Sequence, residues 1–128
     1  MIINKELIQA RLSGLDTTLK PNQNEISLPI VVRIFKKMKS GLMFPPIHVS
    51  TENVIDDGHH RYIGSILADY QLEIRPDYPT PTVMNDYDWK DVKFIDLDYD
   101  TGVKINKMNL IDASYNGITI EQVEQIIK

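Results

Sequence analysis

Cysteine is missing from all 128 residues. That excludes disulfides, thiolate metal sites and cysteine nucleophiles, and it fits a cytoplasmic protein. Long apolar runs are missing too. None approaches the roughly 20 residues needed to span a bilayer, so no membrane association is expected. The opening residues Met1 to Glu6 lack the basic region and apolar stretch of a signal peptide. No internal repeat or low-complexity stretch occurs. What remains is ordinary globular material: 42% of residues are apolar and 25% charged. That is enough for one core and argues against disorder.

Net charge is −4, and its distribution is uneven. Arg33, Lys36, Lys37 and Lys39 stand between Ile30 and Gly41 with no acid among them, whereas seven aspartates fall between Asp77 and Asp100. An acidic chain is a poor general binder of DNA, because nonspecific affinity comes largely from neutralising phosphates. The four cations read as the solvated face of a helix.

Local signals divide the chain into short elements. Asn4 caps a helix through about Leu12, with Ile3 and Ile8 as a hydrophobic staple, and Gly14 ends it. Residues 15–24 read as a short strand and a turn. Ser27 and Pro29 open a second helix, with Ile30, Ile34, Phe35 and Met38 opposite the cations and Gly41 as its stop. Phe44 to Val49 and Val54 to Asp56 flank a polar turn and read as a hairpin. A third helix starts at His59 and carries Ile63, Ile66, Leu67 and Tyr70 on one face. A strand from Gln71 to Arg75 runs into a proline-punctuated loop, Asp77 to Thr82. Val92 to Tyr99 alternates like a strand, with Asp96, Asp98 and Asp100 on its polar face. These aspartates do not match the spacing of an EF-hand calcium loop and read as a solvated edge. Asn116-Gly117 is a turn, and Thr119 with Gln122 forms a capping box for a last helix with Val123, Ile126 and Ile127 inward. His48 reads as a structural strand residue. Trp89 and Phe94 read as packing the C-terminal segment onto the core, with base stacking by Trp89 or Tyr62 as the alternative. The expected fold is a single mixed α/β (α+β) domain over residues 1–128, its sheet flanked by helices.

One segment stands apart: Asp57-Gly58-His59-His60-Arg61-Tyr62. A strand ends, a glycine permits an unusual backbone turn, and a helix begins at once. The first amides of a helix have no partners within it and its dipole is positive there, so the turn suits an anion. Arg61 adds a fork of donors shaped for phosphate, and His59 and His60 add donors that titrate near neutrality. Asp56 or Asp57 could orient a histidine, hold a metal ion or cap the helix. Taken singly, each of these residues is an ordinary structural residue; it is their convergence that points to an anion site.

From about residue 15 to 82 the chain resembles the ParB/sulfiredoxin-like superfamily. The resemblance rests on the helix ending at Gly41, the strands Pro46-Ile47-His48-Val49 and Val54-Ile55-Asp56, and the turn Gly58-His59-His60-Arg61, in that order. It implies a 15–82 core with residues 83–128 as a C-terminal extension packed on it. It also implies nucleotide binding at the turn. Members include CTP-hydrolysing partition proteins, sulfiredoxins, DNA nucleases and free-serine kinases, and the wording Asp-Gly-His-His-Arg is most similar to the kinase-like and uncharacterised branches. His59 stands where sulfiredoxins carry their cysteine, so that reductase chemistry is excluded. Pro21-Asn22-Gln23-Asn24-Glu25 matches only part of the partition proteins' box and lacks its arginine.

Three functions follow as expectations. In the first, the turn binds a nucleotide (ATP, ADP or CTP) or another phosphorylated small molecule, with Mg2+, and transfers or hydrolyses a phosphoryl group. Gly58 and His59 would cradle phosphate and Arg61 would stabilise charge. His60 would be a phosphate donor or acid/base group, Asp57 a metal ligand or histidine partner, and Glu25 the base. In the second, His59, His60 and an aspartate serve a metal-dependent DNA nuclease, although adjacent helical residues point about 100° apart and cannot easily share one ion. In the third, the turn holds a ligand or partner without turnover.

Overall fold

The computed structural model describes residues 1–76 and 86–128; the expected loop at Asp77 to Thr82 lies outside them. Helix α1 (Lys5–Ser13) is capped by Asn4, whose side chain accepts from the Leu7 amide at 2.9 Å. β1 (Glu25–Ser27) runs straight into α2 (Leu28–Lys39), with Pro29 in its first turn. β2 (Ile47–Val49) and β3 (Ile55–Asp57) form the expected antiparallel hairpin, and α3 (His59–Ala68) follows β3 after a single residue. β4 (Ile74–Pro76) lies parallel to β2 on its other side, so the sheet order is β3-β2-β4. Lys20 extends this sheet beyond β3 through a parallel bridge to Val54.

The C-terminal third is joined to this core more intimately than by surface packing. β5 (Lys93–Ile95) pairs in parallel with β1, so residues far apart in the chain make one two-stranded sheet. Just before it, a short 3-10 turn (Trp89–Asp91) buries Trp89, whose ring stacks on Tyr62 at a centroid distance of 6.0 Å. Both rings are buried against the core and face each other, a packing role. The Trp89 indole N–H donates to the Leu19 carbonyl, and the Tyr62 hydroxyl accepts from the Leu19 amide.

Two further helices complete the chain. α4 (Gly102–Asn116) starts at Thr101, whose hydroxyl accepts from the Lys104 amide, and ends at Gly117 in the left-handed region. α5 (Ile120–Ile126) carries the expected reciprocal capping box between Thr119 and Gln122. The main core gathers Ile8, Ile26, Val31, Ile47, Ile55 and Ile63 between the helices and the sheets. A second cluster holds Met38, Phe44, Ala68, Ala113 and Val123, seating α4 and α5 on α2. The result is a small single-domain α/β fold. Among the described residues no helix is long and apolar enough to cross a membrane.

Two of the four cations of α2, Arg33 and Lys37, do not join the solvated face expected of them; Lys39 is exposed. Lys37 is 3% exposed and donates to Asp112 of α4 at 2.6 Å. Arg33 makes a two-pronged pair with Asp98, at 2.6 and 2.9 Å, and also reaches Asp100 at 3.5 Å. Beyond Asp96 the alternation is therefore turned inside out. Asp98 and Asp100 face the protein, while Leu97 and Tyr99 are 65% and 43% exposed. A fixed guanidinium holds these carboxylates better than water does, which decides the direction of the segment. The Asp98 carboxyl accordingly lies below its ordinary range, chiefly through the Arg33 hydrogen bonds.

Candidate functional site

Gly58 makes the strand-to-helix turn possible for two reasons. Its φ of +104° lies in the region that side-chain-bearing residues resist. A Cβ there would also meet Ile47 Cγ2 at 2.3 Å, so the turn sits directly on β2. The helix that follows has no side-chain cap. Asp56 and Asp57, just before it, are both exposed.

The side chains of the turn do something that their types alone do not disclose. Three consecutive residues tie α3 to three different segments. The His59 Nε2 accepts the Asn22 amide at 3.0 Å, and the His60 Nε2 accepts the Ser27 amide at 3.1 Å. Arg61 turns to the opposite side, where Nη1 donates to the Pro45 and Pro46 carbonyls at 3.1 Å each and Nη2 to Asp57 Oδ2 at 3.0 Å. The 100° step between neighbouring helical residues produces this divergence.

These bonds set the protonation of the imidazoles. An Nε2 that accepts from a backbone N–H must be unprotonated, with the ring proton on Nδ1. Burial pushes both histidines down to about 4. For His59 the neighbouring His60 adds to the effect and Asp57 opposes it; for His60 Arg33 adds to it, and Asp100 opposes both. The expected titration near neutrality is thus displaced to acid pH, because desolvation outweighs the nearby carboxylates.

Glu25 sits on the His60 side. Its Oε1 accepts from the Tyr99 hydroxyl at 2.6 Å, and the Tyr99 ring meets His60 edge-on at 6.4 Å. Partial burial of the phenol and the adjacent carboxylate push Tyr99 up to about 12. The candidates therefore form two groups about the α3 axis. Gly58, Arg61 and Asp57 lie against β2, and His59, His60 and Glu25 lie against β1 and its approach. Tyr99, Arg33, Asp98 and Asp100 join the second group, and the sequence reading did not place them there. The alternating aspartates were the available signal, but their partner Arg33 is 65 residues away.

Asp56 and Asp57 are the exposed carboxylates of the turn, and that of Asp57 already faces Arg61 while remaining 73% exposed. Among the described residues no group of three His, Asp or Glu converges to hold a metal ion. A Mg2+ at this turn would be held chiefly by the phosphates of its own ligand, with Asp57 as the protein's contribution. Elsewhere, two adjoining cavities of about 350 and 320 Å³ share Thr18, Asp88 and Trp89, and neither takes a lining residue from the turn.

No protein-family model matches the chain, and no solved structure matches it. It is 30% identical, over 106 aligned residues, to an uncharacterised protein of Methanocaldococcus jannaschii. That similarity takes in 71% of this chain and 40% of the relative's length.

Proposed function

We propose that the Asp57–Arg61 turn binds the phosphate of a nucleotide or another phosphorylated small molecule, and that phosphoryl transfer or nucleotide hydrolysis is the chemistry it serves. The observation that carries this reading is the opening of α3. A left-handed glycine leaves the helix without a side-chain cap, and a guanidinium held at the same turn keeps part of its donor fork uncommitted. Helix dipole, unpartnered amides and a fixed cation are the parts from which phosphate sites are built. The resemblance to the ParB/sulfiredoxin-like superfamily makes a nucleotide the preferred source of that phosphate. In this reading Arg61 and the first amides of α3 neutralise charge, and Asp57 helps to hold Mg2+ brought in with the phosphates.

A second reading is binding without turnover. It draws on the engagement of every candidate acid or base: His59 and His60 accept backbone amides, and Glu25 accepts from Tyr99. Titrating 15N-labelled protein with ATP, ADP and CTP in the presence of Mg2+ tests both. Binding at the turn shifts the amide resonances of His59, His60 and Arg61 first. Release or transfer of phosphate in the same samples separates the catalyst from the binding module. If no nucleotide moves those resonances, or if the shifts cluster around Trp89 instead, the phosphate does not sit at this turn.

A further inference from the structure

α4 is arranged the wrong way round for a helix at the surface of a monomer. Its three buried positions are Asn109, Asp112 and Ala113, two of them polar, and the Asn109 Oδ1 is buried without a hydrogen-bond partner. Its large apolar side chains face solvent instead: Met108 is 36% exposed, Ile111 47% and Tyr115 52%. A globular helix ordinarily buries its apolar stripe and leaves the polar one in water. Val103 and Leu110 are exposed as well, on a neighbouring strip of the helix. Lys104, Met108, Ile111 and Tyr115 follow at intervals of four, three and four, the spacing that forms a continuous seam for a second helix.

We infer that this seam packs against the same seam of a second copy of the chain, with the two α4 helices antiparallel. The residues specify the register. Aligning Met108 with the partner's Ile111 automatically aligns Lys104 with the partner's Tyr115, and the two-fold axis repeats both contacts. The charges agree with this direction. α4 has no exposed acid, and Lys104 and Lys107 lie near its N-terminus. An antiparallel neighbour sets those lysines beside the negative end of the partner's α4 dipole and the first turn of its α5, which carries the exposed Glu121. The ammonium of Lys104 can also lie over the face of the partner's Tyr115. A parallel pair would bring the lysines of both copies together. The seam of a fifteen-residue helix is only about 22 Å long, below the extent of a permanent interface, so association is weak and depends on concentration.

Sedimentation velocity of the full chain across a dilution series tests the inference. The expected result is a reversible rise from the 14.7 kDa of one chain towards twice that mass as concentration increases. Ile111→Glu and Met108→Lys, both at exposed positions that leave the fold's circular dichroism unchanged, each weaken self-association at least tenfold. Mixed together, the two variants restore a heterodimer, because the new glutamate of one lies opposite the new lysine of the other. A chain that stays monomeric throughout overturns the inference. So does a dimer that survives both single variants, a mixture that fails to associate, or a monomer that cosediments with anionic vesicles through the same residues.

Discussion

The Nε2 of His60 accepts the backbone amide of Ser27 at 3.1 Å, and Ser27 is fully buried. One imidazole thus fixes the point where β1 becomes α2. Replacing it with phenylalanine keeps the volume roughly but leaves a buried N–H without an acceptor. His60→Phe should therefore cost about 1–3 kcal/mol in urea unfolding. If the loss is below about 0.5 kcal/mol, this bond is not holding the junction.

The same geometry makes stability depend on pH. His59 and His60 protonate near 4 in the folded chain and near 6.5 when unfolded. Between those values the unfolded state binds more protons, so stability rises with pH across that window. It is fully present above about 6.5 and is lost as pH falls towards 4. The urea midpoint measured from pH 4 to 7 should climb accordingly, and His60→Phe should flatten the slope by about half. An unchanged slope in that variant would locate the proton elsewhere.

The elements that could be read from the residues are those with local signals. Asn4 and Thr119 announce their helices by capping chemistry within four residues, and the polar turn at Ser50 to Asn53 announces the hairpin. α4 carried no such message, because its apolar residues lie in two strips, Val103 with Leu110 and Met108 with Ile111 and Tyr115, and neither is the face that the fold buries. The β1–β5 pairing joins residues 68 positions apart, Glu25 with Lys93, and leaves no trace in short windows. The site divides in the same way. That a helix opens just after Gly58 was visible; that His59 and His60 serve as acceptors was not. An imidazole on a helix's first turn suits a ligand or a strut equally well, and Asn22 and Ser27, which decide between them, lie more than 30 residues away.

Lys37 and Asp112 join α2 to α4 with both side chains almost out of water. Removing one partner strands the other charge in the interior. Lys37→Met should cost about 3–5 kcal/mol, while the double change Lys37→Met with Asp112→Leu should recover most of it. Chemical unfolding of the two single variants and the double supplies the cycle. A double variant as unstable as the worse single one would mean that shape, not charge, governs this contact.

Gly58→Ala tests the turn itself. The added methyl group meets Ile47 Cγ2 and is forced into a left-handed backbone. Overpacking contributes about 1–3 kcal/mol and the backbone roughly 1–2 more. Shortening Ile47 to alanine in the same chain removes the Cγ2 contact but leaves its Cβ at 2.9 Å and the backbone strain, so only part of the additional loss should return. Complete recovery would show that the backbone term is negligible here.

Asp57→Asn is the sharpest test of the proposed phosphate site, because its two possible roles predict opposite changes. The Asp57 carboxylate lies 3.0 Å from the Arg61 Nη2 and is well exposed. Without metal it competes with an incoming phosphate for the guanidinium and repels it. Neutralising an exposed pair of this kind is worth up to about 1 kcal/mol, so pyrophosphate in EDTA should bind about two- to fivefold more tightly to the variant. With Mg2+ the carboxylate becomes useful, since the ion needs oxygen ligands beyond the phosphates. The variant should then lose the gain in affinity that Mg2+ gives the natural chain. Titration calorimetry with and without metal reads both arms. Arg61 should not be the first residue changed, because its bonds to Pro45 and Pro46 also anchor the approach to β2 and its loss would confound folding with binding. If Asp57→Asn alters neither arm, the anion is bound away from Arg61, and the opening of α3 is a structural turn alone.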